Sequence, residues 1–369
     1  MIKVLHIIDH LRIGGAQSLL LDLAARDENL DVECEIAALY GVEGDSSRFE
    51  EIGINVTTLA ENKWSIMSLF ALAKLVRLKR FDILHFHLNG ANWVAKPFCA
   101  LFPSAYRVEH DHYPPEGSAR AWPSILLRVL TRFFSHHVIA VSDAVADVLF
   151  EREFVEREKV SVIPNGVDTV RFDLPSERLR TEARAAFGLK IDAFVVGVLG
   201  RLEPGKNLGC IVSLARAISD VEFLVGGEGS EADALNKASR GINNFTLLGK
   251  VNDRRLFYAS IDAFILPSRA ESFGLVAAEA MACGLPVVAS DIPAVATILG
   301  DTNFLIEIDD QQALLEAVKY LSRNRSEAKI VGKIGRDRVC AHFDARDARV
   351  RMANLYARLL FQRANKLPL

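Results

Sequence analysis

The strongest constraint on the fold is one stretch in which a buried strand, a loop, a helix and a second buried strand follow one another. An apolar run ends at Pro267, a loop containing Gly274 follows, and a helix predicted from Leu275 stops at Gly284. A second apolar run then leads to Ser290. Short continuous apolar runs are typical of strands covered on both faces, which occur in parallel sheets. The stretch therefore predicts an α/β fold.

Two carboxylates in this stretch are candidate functional groups. Glu271 follows the strand, at the carboxyl end where ligands of open α/β sheets bind. Glu279 lies inside the helix among apolar residues, and a carboxylate in such surroundings requires hydrogen-bond donors, which ligand hydroxyls can supply. The alternative for Glu279 is an exposed carboxylate on an ordinary helix.

A second stretch carries two cations beside a predicted helix start. The apolar strand from Phe194 ends in Gly200 and Arg201, and Lys206 follows in a turn before the next helix. Arginine offers a bidentate fork, lysine a point charge and a helix amino end a partial positive charge. Together these groups suit a diphosphate, although surface cations beside a turn usually face water.

The order and spacing of these motifs resemble those of the retaining, nucleotide-sugar-dependent glycosyltransferases of GT-B architecture (family 4-like, group 1). The resemblance runs nearly end to end. It implies two Rossmann-like, doubly wound parallel-sheet domains facing across a cleft. The motifs that carry it are Gly200–Asn207, Glu271–Glu279, Gly14–Gln17, Val141–Asp143, Ile163–Asp168 and Gly226–Gly229.

The resemblance also implies roles for individual residues. Arg201 and Lys206 would hold the donor diphosphate, Glu279 the nucleotide ribose and Glu271 the transferred sugar. It implies no side-chain nucleophile, because the family is thought to react on the front face of the sugar, with the departing diphosphate helping to deprotonate the acceptor. Catalysis would then rest on positioning and electrostatics. Sugar hydroxyls and phosphate would meet the backbone amides of Phe273, Gly274 and Leu275.

A candidate histidine follows the predicted strand from Ala105 to Val108. His110 stands where the family places a histidine that contacts the sugar, and His112 competes for the role. Asp111 is positioned to orient either imidazole. The alternative is a loop histidine satisfied by solvent.

His85 and His87 share one face of a predicted strand and invite a metal interpretation. We expect no metal, because zinc requires three or four ligands, no further ligand motif stands nearby, and the family generally works without a bound metal. Gly14 and Gly15 follow the first strand and would let the donor approach the backbone closely, with a plain turn as the alternative. They do not complete a dinucleotide fingerprint.

The chain has 369 residues, half of them hydrophobic, which suits two domains. We predict an acceptor-side domain over residues 1–167 and a nucleotide-sugar-binding domain over 168–345, opening with a charged, poorly periodic bridge from Asp168 to Lys190. The last segment, 346–369, should pack back onto the first domain. Its apolar stripe consists of Val350, Met352, Leu355, Tyr356, Leu359 and Leu360.

The composition of the chain limits the classes of partner that it can bind. A net charge of −3 without a basic tail gives no case for nucleic acid. Five widely spaced cysteines and a start that leads directly into a strand predict a cytoplasmic protein. The family resemblance implies no cofactor beyond the nucleotide-sugar co-substrate. A surplus of basic residues between Lys63 and Arg132, with Trp64, Trp93 and Trp122 nearby, is compatible with peripheral contact to anionic lipid. Amphipathic helices that pack inward are the alternative.

The sequence departs from the family where Ile292, Pro293 and Ala294 replace the usual glycine pair, which leaves sugar and acceptor selectivity open. The resulting prediction is a retaining transferase that moves a sugar from a UDP- or GDP-sugar, such as GDP-mannose, to a glycan or lipid-linked acceptor. The alternatives are a GT-B-type nucleotide-sugar epimerase and a binding protein that senses nucleotide sugar without turnover.

Overall fold

The computed structural model describes residues 1–12, 14–42, 46–62, 65–101, 105–113, 126, 129–130 and 132–366. The chain divides into two compact units. The first consists of Met1–Gly166 and Ala345–Leu369, and the second of Val167–Asp344. No helix in the described ranges combines the length and the apolar character needed to cross a membrane.

The first unit contains a seven-stranded sheet in which all neighbouring strands are parallel. The strand order is β3-β2-β1-β4-β5-β6-β7. The order reverses between β1 and β4, and this switch point is where open α/β sheets bind ligands. The strands are β1 (Ile2–Ile8), β2 (Val32–Ala38), β3 (Asn55–Thr58), β4 (Ile83–His87), β5 (Tyr106–Asp111), β6 (His137–Ala140) and β7 (Val160–Val162).

Helices cover both faces of this sheet because its strands are apolar on both sides. Leu5 and Phe86 belong to a buried cluster on one face, and Val4 and Ile83 to another cluster that includes Tyr356 of the last helix. Residues 88–99 form a continuous helical stretch with a π-helical centre. The helices are Gly15–Ala24, Ser47–Glu50, Ile66–Lys79, Leu88–Gly90, Ala91–Ala95 (π), Lys96–Cys99, Asp143–Glu151 and Ala345–Lys366, with a 3₁₀ turn at Arg157–Lys159.

The second unit contains a six-stranded parallel sheet of the same design. Its order is β10-β9-β8-β11-β12-β13, so the switch point lies between β8 and β11. The predicted fold class, two doubly wound parallel sheets, is confirmed. The strands are β8 (Phe194–Leu199), β9 (Val221–Gly226), β10 (Phe245–Gly249), β11 (Ala263–Leu266), β12 (Val287–Ser290) and β13 (Phe304–Ile306).

The helices of the second unit include the one predicted from Leu275, which runs to Ala282 and lies before Gly284 as expected. Short 3₁₀ turns occur at Pro204–Lys206 and Gly300–Thr302. The helices are Glu177–Ala186, Gly209–Ala217, Ala232–Ala238, Arg254–Ser260, Leu275–Ala282, Pro293–Leu299, Gln311–Arg323 and Arg325–His342.

The charged, poorly periodic bridge predicted from Asp168 to Lys190 contains the helix Glu177–Ala186. Ser176 caps this helix by accepting a hydrogen bond from the Leu179 amide. Two of its residues, Ala183 and Arg184, are buried. Arg184 packs inward, where it donates to the Ser260 carbonyl and to Asp262.

The predicted apolar stripe of the last helix also differs in one position. Met352, Leu355, Tyr356 and Leu359 are buried against the sheet of the first unit, whereas Val350 is exposed. The inward face of a helix covers only some of its apolar positions, and Val350 lies outside that arc.

Candidate functional site

The candidate site of the second unit forms where the chain leaves β8 and β11, the two strands at the switch point. The first loop carries Arg201 and Lys206, and the second carries Glu271. Lys206 Nζ donates to Glu271 Oε1 at 2.5 Å, and both side chains are largely shielded from solvent, at 22% and 12% exposed. The fold thus brings together two predicted site residues that are far apart in sequence.

Further hydrogen bonds fix these two loops against each other. The Ser268 hydroxyl donates to Glu271 Oε1 at 2.8 Å, and the Arg269 amide donates to the Gly205 carbonyl at 2.9 Å. Because the backbone of one loop is bonded to the other, Lys206 and Glu271 are held in place by more than their own ion pair.

Arg201 lies on a loop that closely approaches the end of β9. A Cβ atom on Gly227 would lie 1.8 Å from the Gly200 carbonyl oxygen, and the Leu202 amide donates to the Glu228 carbonyl at 2.8 Å. The Arg201 side chain is exposed. Arg201 and Lys206 both precede the helix Gly209–Ala217, and a 3₁₀ turn from Pro204 to Lys206 lies before that helix. The two cations therefore do not flank the first residue of the helix.

The helix Leu275–Ala282 begins at the same edge of the sheet. Gly274 takes the left-handed conformation, with φ of 102°, that residues other than glycine rarely adopt. Gly274 has no side chain to cap the helix, and its carbonyl accepts from the Ala277 amide at 2.9 Å. Phe273 is buried against Phe343, which anchors the loop before the helix. Val295 follows Ile292, Pro293 and Ala294, where the sequence departs from the family, and it packs close to Gly274.

Glu279 is buried, 2% exposed, and its hydrogen-bond donors come from the protein itself. Arg254 Nη1 donates at 2.6 Å and the Tyr258 hydroxyl at 2.9 Å. The alternative of an exposed helical carboxylate was wrong. Burial raises the pKa of Glu279, while Arg254 opposes that shift. Sequence reasoning missed Arg254 and Tyr258, because nothing in the helix Arg254–Ser260 indicates a partner on another helix.

The first unit places five histidines in one cluster at the carboxyl ends of β1, β4 and β5. His6 pairs in register with His85, and His87 with His110. Side chains at paired and at alternate positions of parallel strands share a face, so these histidines and His112 lie side by side. Consecutive ring centroids are 4.2 to 5.4 Å apart.

The histidine cluster is kept neutral by burial. Desolvation lowers the pKa of His6 to about 3 and that of His112 to about 4, and it lowers the pKa values of His85, His87 and His110 well below their ordinary value. A cationic imidazole is therefore disfavoured throughout the cluster.

The structure places His110 differently from the sequence-based expectation. The strand β5 extends to Asp111, so His110 lies inside it, almost fully buried, and the alternative of a solvent-satisfied loop histidine was wrong. Neither ring nitrogen of His110 has a hydrogen-bond partner among the described residues. Asp111 does not orient it, since that carboxylate faces Arg132 at 3.1 Å and accepts from the Tyr113 amide.

The argument against a metal at His85 and His87 assumed that no further ligand lay nearby, and that assumption was wrong. His6, which lies 79 residues before His85 in the sequence, is paired with it across β1 and β4. His110 lies on the neighbouring strand β5, and His112 follows that strand directly. Two groups could each hold an ion, His6 with His85 and His87, and His87 with His110 and His112.

Gly14 and Gly15 lie at the switch point of the first unit. Gly14 has an extended backbone, with φ of −173°, and a Cβ there would lie 2.4 Å from Gln17 Oε1. Gly15 begins the helix and faces open space. Nearby, Asp9 accepts from the Gly90 and Ala91 amides at 3.0 and 2.8 Å.

Several of the basic and aromatic residues between Lys63 and Arg132, considered above for contact with anionic lipid, lie outside the described residues. They are Lys63, Trp64, Arg120, Trp122 and Arg128.

Comparison with known families identifies the class. Residues 13–171 match the family described as Glycosyltransferase Family 4, and residues 193–324 match Glycosyl transferases group 1. The chain therefore belongs to the glycosyltransferases of GT-B architecture, with a family 4 domain followed by a group 1 domain. This confirms the family resemblance seen in the sequence motifs.

Relatives with assigned activities are similar over much of the chain. An Escherichia coli enzyme, UDP-Gal:alpha-D-GlcNAc-diphosphoundecaprenol alpha-1,3-galactosyltransferase, is 27% identical over 268 residues, covering 68% of this chain and 69% of the enzyme. The capsular polysaccharide biosynthesis glycosyltransferase CapM of Staphylococcus aureus is 24% identical and covers 65% and 66%. The chain spans about two thirds of the length of these relatives.

Solved structures share the fold over nearly the whole chain. Anabaena HepE in complex with UDP and glucose has a TM-score of 0.85 at 21% identity, covering 97% of this chain and 100% of HepE. WaaG, a glycosyltransferase involved in lipopolysaccharide biosynthesis, has a TM-score of 0.74 at 12% identity, covering 96% and 99%.

Proposed function

We propose that the protein transfers a sugar from a nucleotide diphosphate sugar to a hydroxyl of a glycan or lipid-linked acceptor, with retention of configuration, in surface polysaccharide or glycolipid synthesis. The observation that carries this proposal is the contact between Lys206 and Glu271 at the switch point of the second sheet. In a sugar diphosphate the sugar is bonded directly to phosphate. Its recognition requires a cation beside a hydrogen-bond acceptor, and this pair supplies both.

The diphosphate would be held by positive groups and not by a metal ion. The Lys206 ammonium has three N–H donors, so it can keep its bond to Glu271 while donating to a phosphate oxygen. Arg201 offers a fork that fits two phosphate oxygens. The amides of Gly274 and Leu275 add the partial positive charge of a helix amino end.

The carboxylates would then bind the two sugars of the donor. Glu271 would accept hydrogen bonds from the transferred sugar. Glu279 would accept from the ribose, since a carboxylate bonded to Arg254 and Tyr258 has acceptor sites left. The Phe273 amide would contribute to sugar binding beside Glu271.

Transfer would proceed on the front face of the sugar without a covalent enzyme intermediate. Glu271 is fixed by Lys206 and Ser268, which suits a hydrogen-bond acceptor. The departing diphosphate would take the acceptor's proton, while Arg201 and Lys206 stabilise the charge that develops on it. His110 would contact the sugar from the first unit, and Gly14 and Gly15 would let the donor approach the backbone.

The donor is proposed to be a UDP- or GDP-sugar, and the acceptor to be lipid-linked. The names of the E. coli relative and of the HepE complex, which include UDP-Gal and UDP, support a nucleotide sugar. The same relative acts on a diphosphoundecaprenol-linked sugar, as its name states. In the first unit, Ile66, Met67 and Phe70 project from one helix into solvent, as expected for peripheral contact with a membrane.

The test is thermal stabilisation of the full chain by uridine, guanosine, adenosine and thymidine diphosphate sugars, with the free diphosphates as controls, followed by product analysis with acceptors. A preferred donor and a glycosylated acceptor of retained configuration are expected. Conversion of the donor to its isomer without acceptor would instead establish the epimerase. Binding without any product would establish a sensor, and no stabilisation at millimolar concentration would overturn the proposal.

A further inference from the structure

We infer that a cavity in the first unit, bordered by the amino end of the helix Ile66–Lys79, binds the apolar chain of the lipid-linked acceptor. The inference rests on the proposed function, because it states where the chain of that acceptor lies. It adds a binding site that involves none of the residues proposed to hold the donor.

The position of the cavity is the first ground. Asp9 directly follows β1, Tyr40 lies two residues after β2, and Gly90 lies three residues after β4. All three line the cavity, so it lies at the carboxyl edge of the first sheet. Ligands of open α/β sheets bind beyond this edge. The cavity is therefore on the side of the unit where a substrate is expected.

The walls and the volume of the cavity suit a hydrocarbon chain. Its aliphatic walls are Leu39, Ile66, Leu69 and Val94. An apolar cavity of about 150 Å³ is large enough to bind benzene. The present cavity has a volume of about 240 Å³, which by proportion holds a chain segment of about ten carbons. Each methylene group buried there strengthens binding about 4-fold.

Two polar residues of the lining are engaged within the protein. Asp9 accepts hydrogen bonds from the Gly90 and Ala91 amides at 3.0 and 2.8 Å. The Ser68 hydroxyl donates to the Ser65 carbonyl at 2.6 Å. A sugar that entered the cavity would give up hydrogen bonds to water, whereas a hydrocarbon chain has none to lose. The lining therefore favours the chain of the acceptor over its carbohydrate.

The cavity opens onto an exposed apolar face. Ile66 and Val94 line the cavity and are also 66% and 36% exposed. From Ile66 the face continues along the same helix through Met67 and Phe70, and the Phe70 ring meets Phe98 edge-on, with centroids 6.3 Å apart. Exposed apolar surface of this kind marks contact with a lipid or with another protein.

The charges on this helix favour a lipid. Lys74 and Arg77 are exposed and follow Phe70 at helical spacing, so they lie on the same side of the helix. Cations beside apolar surface attract the phosphate groups of lipids. A symmetrical contact between two copies of the chain through this face would instead bring like charges together.

The test is a calorimetric titration of the purified full chain with farnesyl phosphate and isopentenyl phosphate, each below its critical micelle concentration. The two probes share a head group and differ in chain length. We expect farnesyl phosphate to bind at least about 10-fold more tightly. Dodecyl phosphate is titrated in parallel, and the tighter of the two long-chain probes identifies the chain as prenyl or straight. Equal affinity for all three phosphates would overturn the inference.

Variants locate the binding site. Val94→Trp should fill the cavity and lower the affinity for the long-chain phosphate about 10-fold or more, while leaving that for isopentenyl phosphate unchanged. Ile66→Asp, at an exposed position of the lining, should act in the same direction by placing a charge at the opening.

Leu78→Trp is the matched control, because Leu78 belongs to the same helix, is 71% exposed and does not line the cavity. Circular dichroism checks that each variant is folded. Long-chain binding that survives in both folded cavity variants, or that is lost in Leu78→Trp, would contradict the assigned site.

Donor binding is measured separately with the panel of nucleotide sugars, so the two proposals can fail independently. Donor binding and transfer without a preference for the long-chain probes would overturn the cavity inference alone. Long-chain binding without any donor binding would overturn the proposed function alone. Sedimentation tests the other occupant: a wild-type dimer that Ile66→Asp separates, with no chain preference, would assign the face to a second copy and overturn the inference.

Discussion

Glu271 and Glu279 belong to one stretch of sequence, but the protein holds them in different ways. Glu271 is paired with Lys206 from the other loop at the switch point, at the edge where ligands bind. Glu279 is almost fully buried and accepts hydrogen bonds from Arg254 and Tyr258. The first carboxylate keeps part of its surface exposed at that edge. The second depends on its protein partners before any ligand arrives.

The proposed roles of Glu271 and Arg201 predict separable defects. Glu271→Gln should lower the transfer rate about 100-fold or more while leaving the affinity for the free nucleoside diphosphate unchanged, because Glu271 would meet the sugar. Arg201→Ala should lower both the transfer rate and the affinity for the free nucleoside diphosphate. The affinity should fall about 10-fold, because a charged hydrogen bond is lost. Steady-state kinetics and calorimetry measure the two effects.

Ser268→Ala is the matched control for Glu271, since it removes one donor to the same carboxylate and should have a much smaller effect. Loss of diphosphate affinity in Glu271→Gln, or full transfer activity in either Glu271→Gln or Arg201→Ala, would contradict the assigned roles.

The burial of Glu279 predicts a stability effect at Arg254. Arg254→Ala should lower the free energy of unfolding by about 3 kcal/mol, because it leaves a buried carboxylate without its cation. Adding Glu279→Gln to that variant should restore part of the loss, since it removes the uncompensated charge. Chemical denaturation of the wild type, both single variants and the double variant measures the coupling. Simple additivity would show that the pair does not interact in this way.

At the scale of elements, the sharpest constraint is the crossing of the β8 and β9 loops. Gly227 has φ of 142°, and its Cα lies so close to the Gly200 carbonyl that no side chain fits. The motif Gly226–Gly229 is one of those that carry the family resemblance. In the structure, the absence of a side chain at Gly227 lets the loop that carries Arg201 pass close by.

Gly227→Ala should therefore destabilise the protein and weaken donor binding together, since the added methyl group would displace Gly200 and hence Arg201. The strain from positive φ alone is about 1–3 kcal/mol, and the clash adds to it. Gly241→Ala is the matched control, because Gly241 also has positive φ, of 78°, but its Cβ would meet nothing within 4 Å. Equal melting temperatures for the two variants would refute the role of the clash.

At the scale of the whole molecule, buried histidines should make stability depend on pH. His137 begins β6, is buried beside Ser161, and faces Arg358, which also donates to Ser161. Desolvation first, and Arg358 second, lower its pKa from 6.5 to about 4. Below pH 6.5 His137 becomes protonated in the unfolded chain but stays neutral in the folded chain. The free energy of unfolding is therefore unaffected by this group above pH 6.5 and decreases as the pH falls towards 4.

Between pH 6.5 and 5 this single group should cost about 2 kcal/mol of unfolding free energy. Urea denaturation of the wild type and of His137→Gln across that range measures it. The wild type should lose more stability than the variant on acidification, and parallel curves for the two proteins would contradict the assignment.

The sequence determined the fold class and the residue types of the loops that follow β8 and β11. Continuous apolar runs such as the one from Phe194 specify strands buried on both faces, and Gly274 and Gly284 mark where the helix between them begins and ends. These are local signals, because they depend on side-chain periodicity and on backbone conformations that glycine allows.

Only the tertiary structure decided which residues meet. Lys206 contacts Glu271, Arg254 contacts Glu279, and His6 joins His85 and His87, although none of these groupings is close in sequence. The burial of His110 likewise followed from the length of β5 and the strands beside it. Such contacts arise from strand order and register, which depend on how the whole sheet packs and which no local pattern specifies.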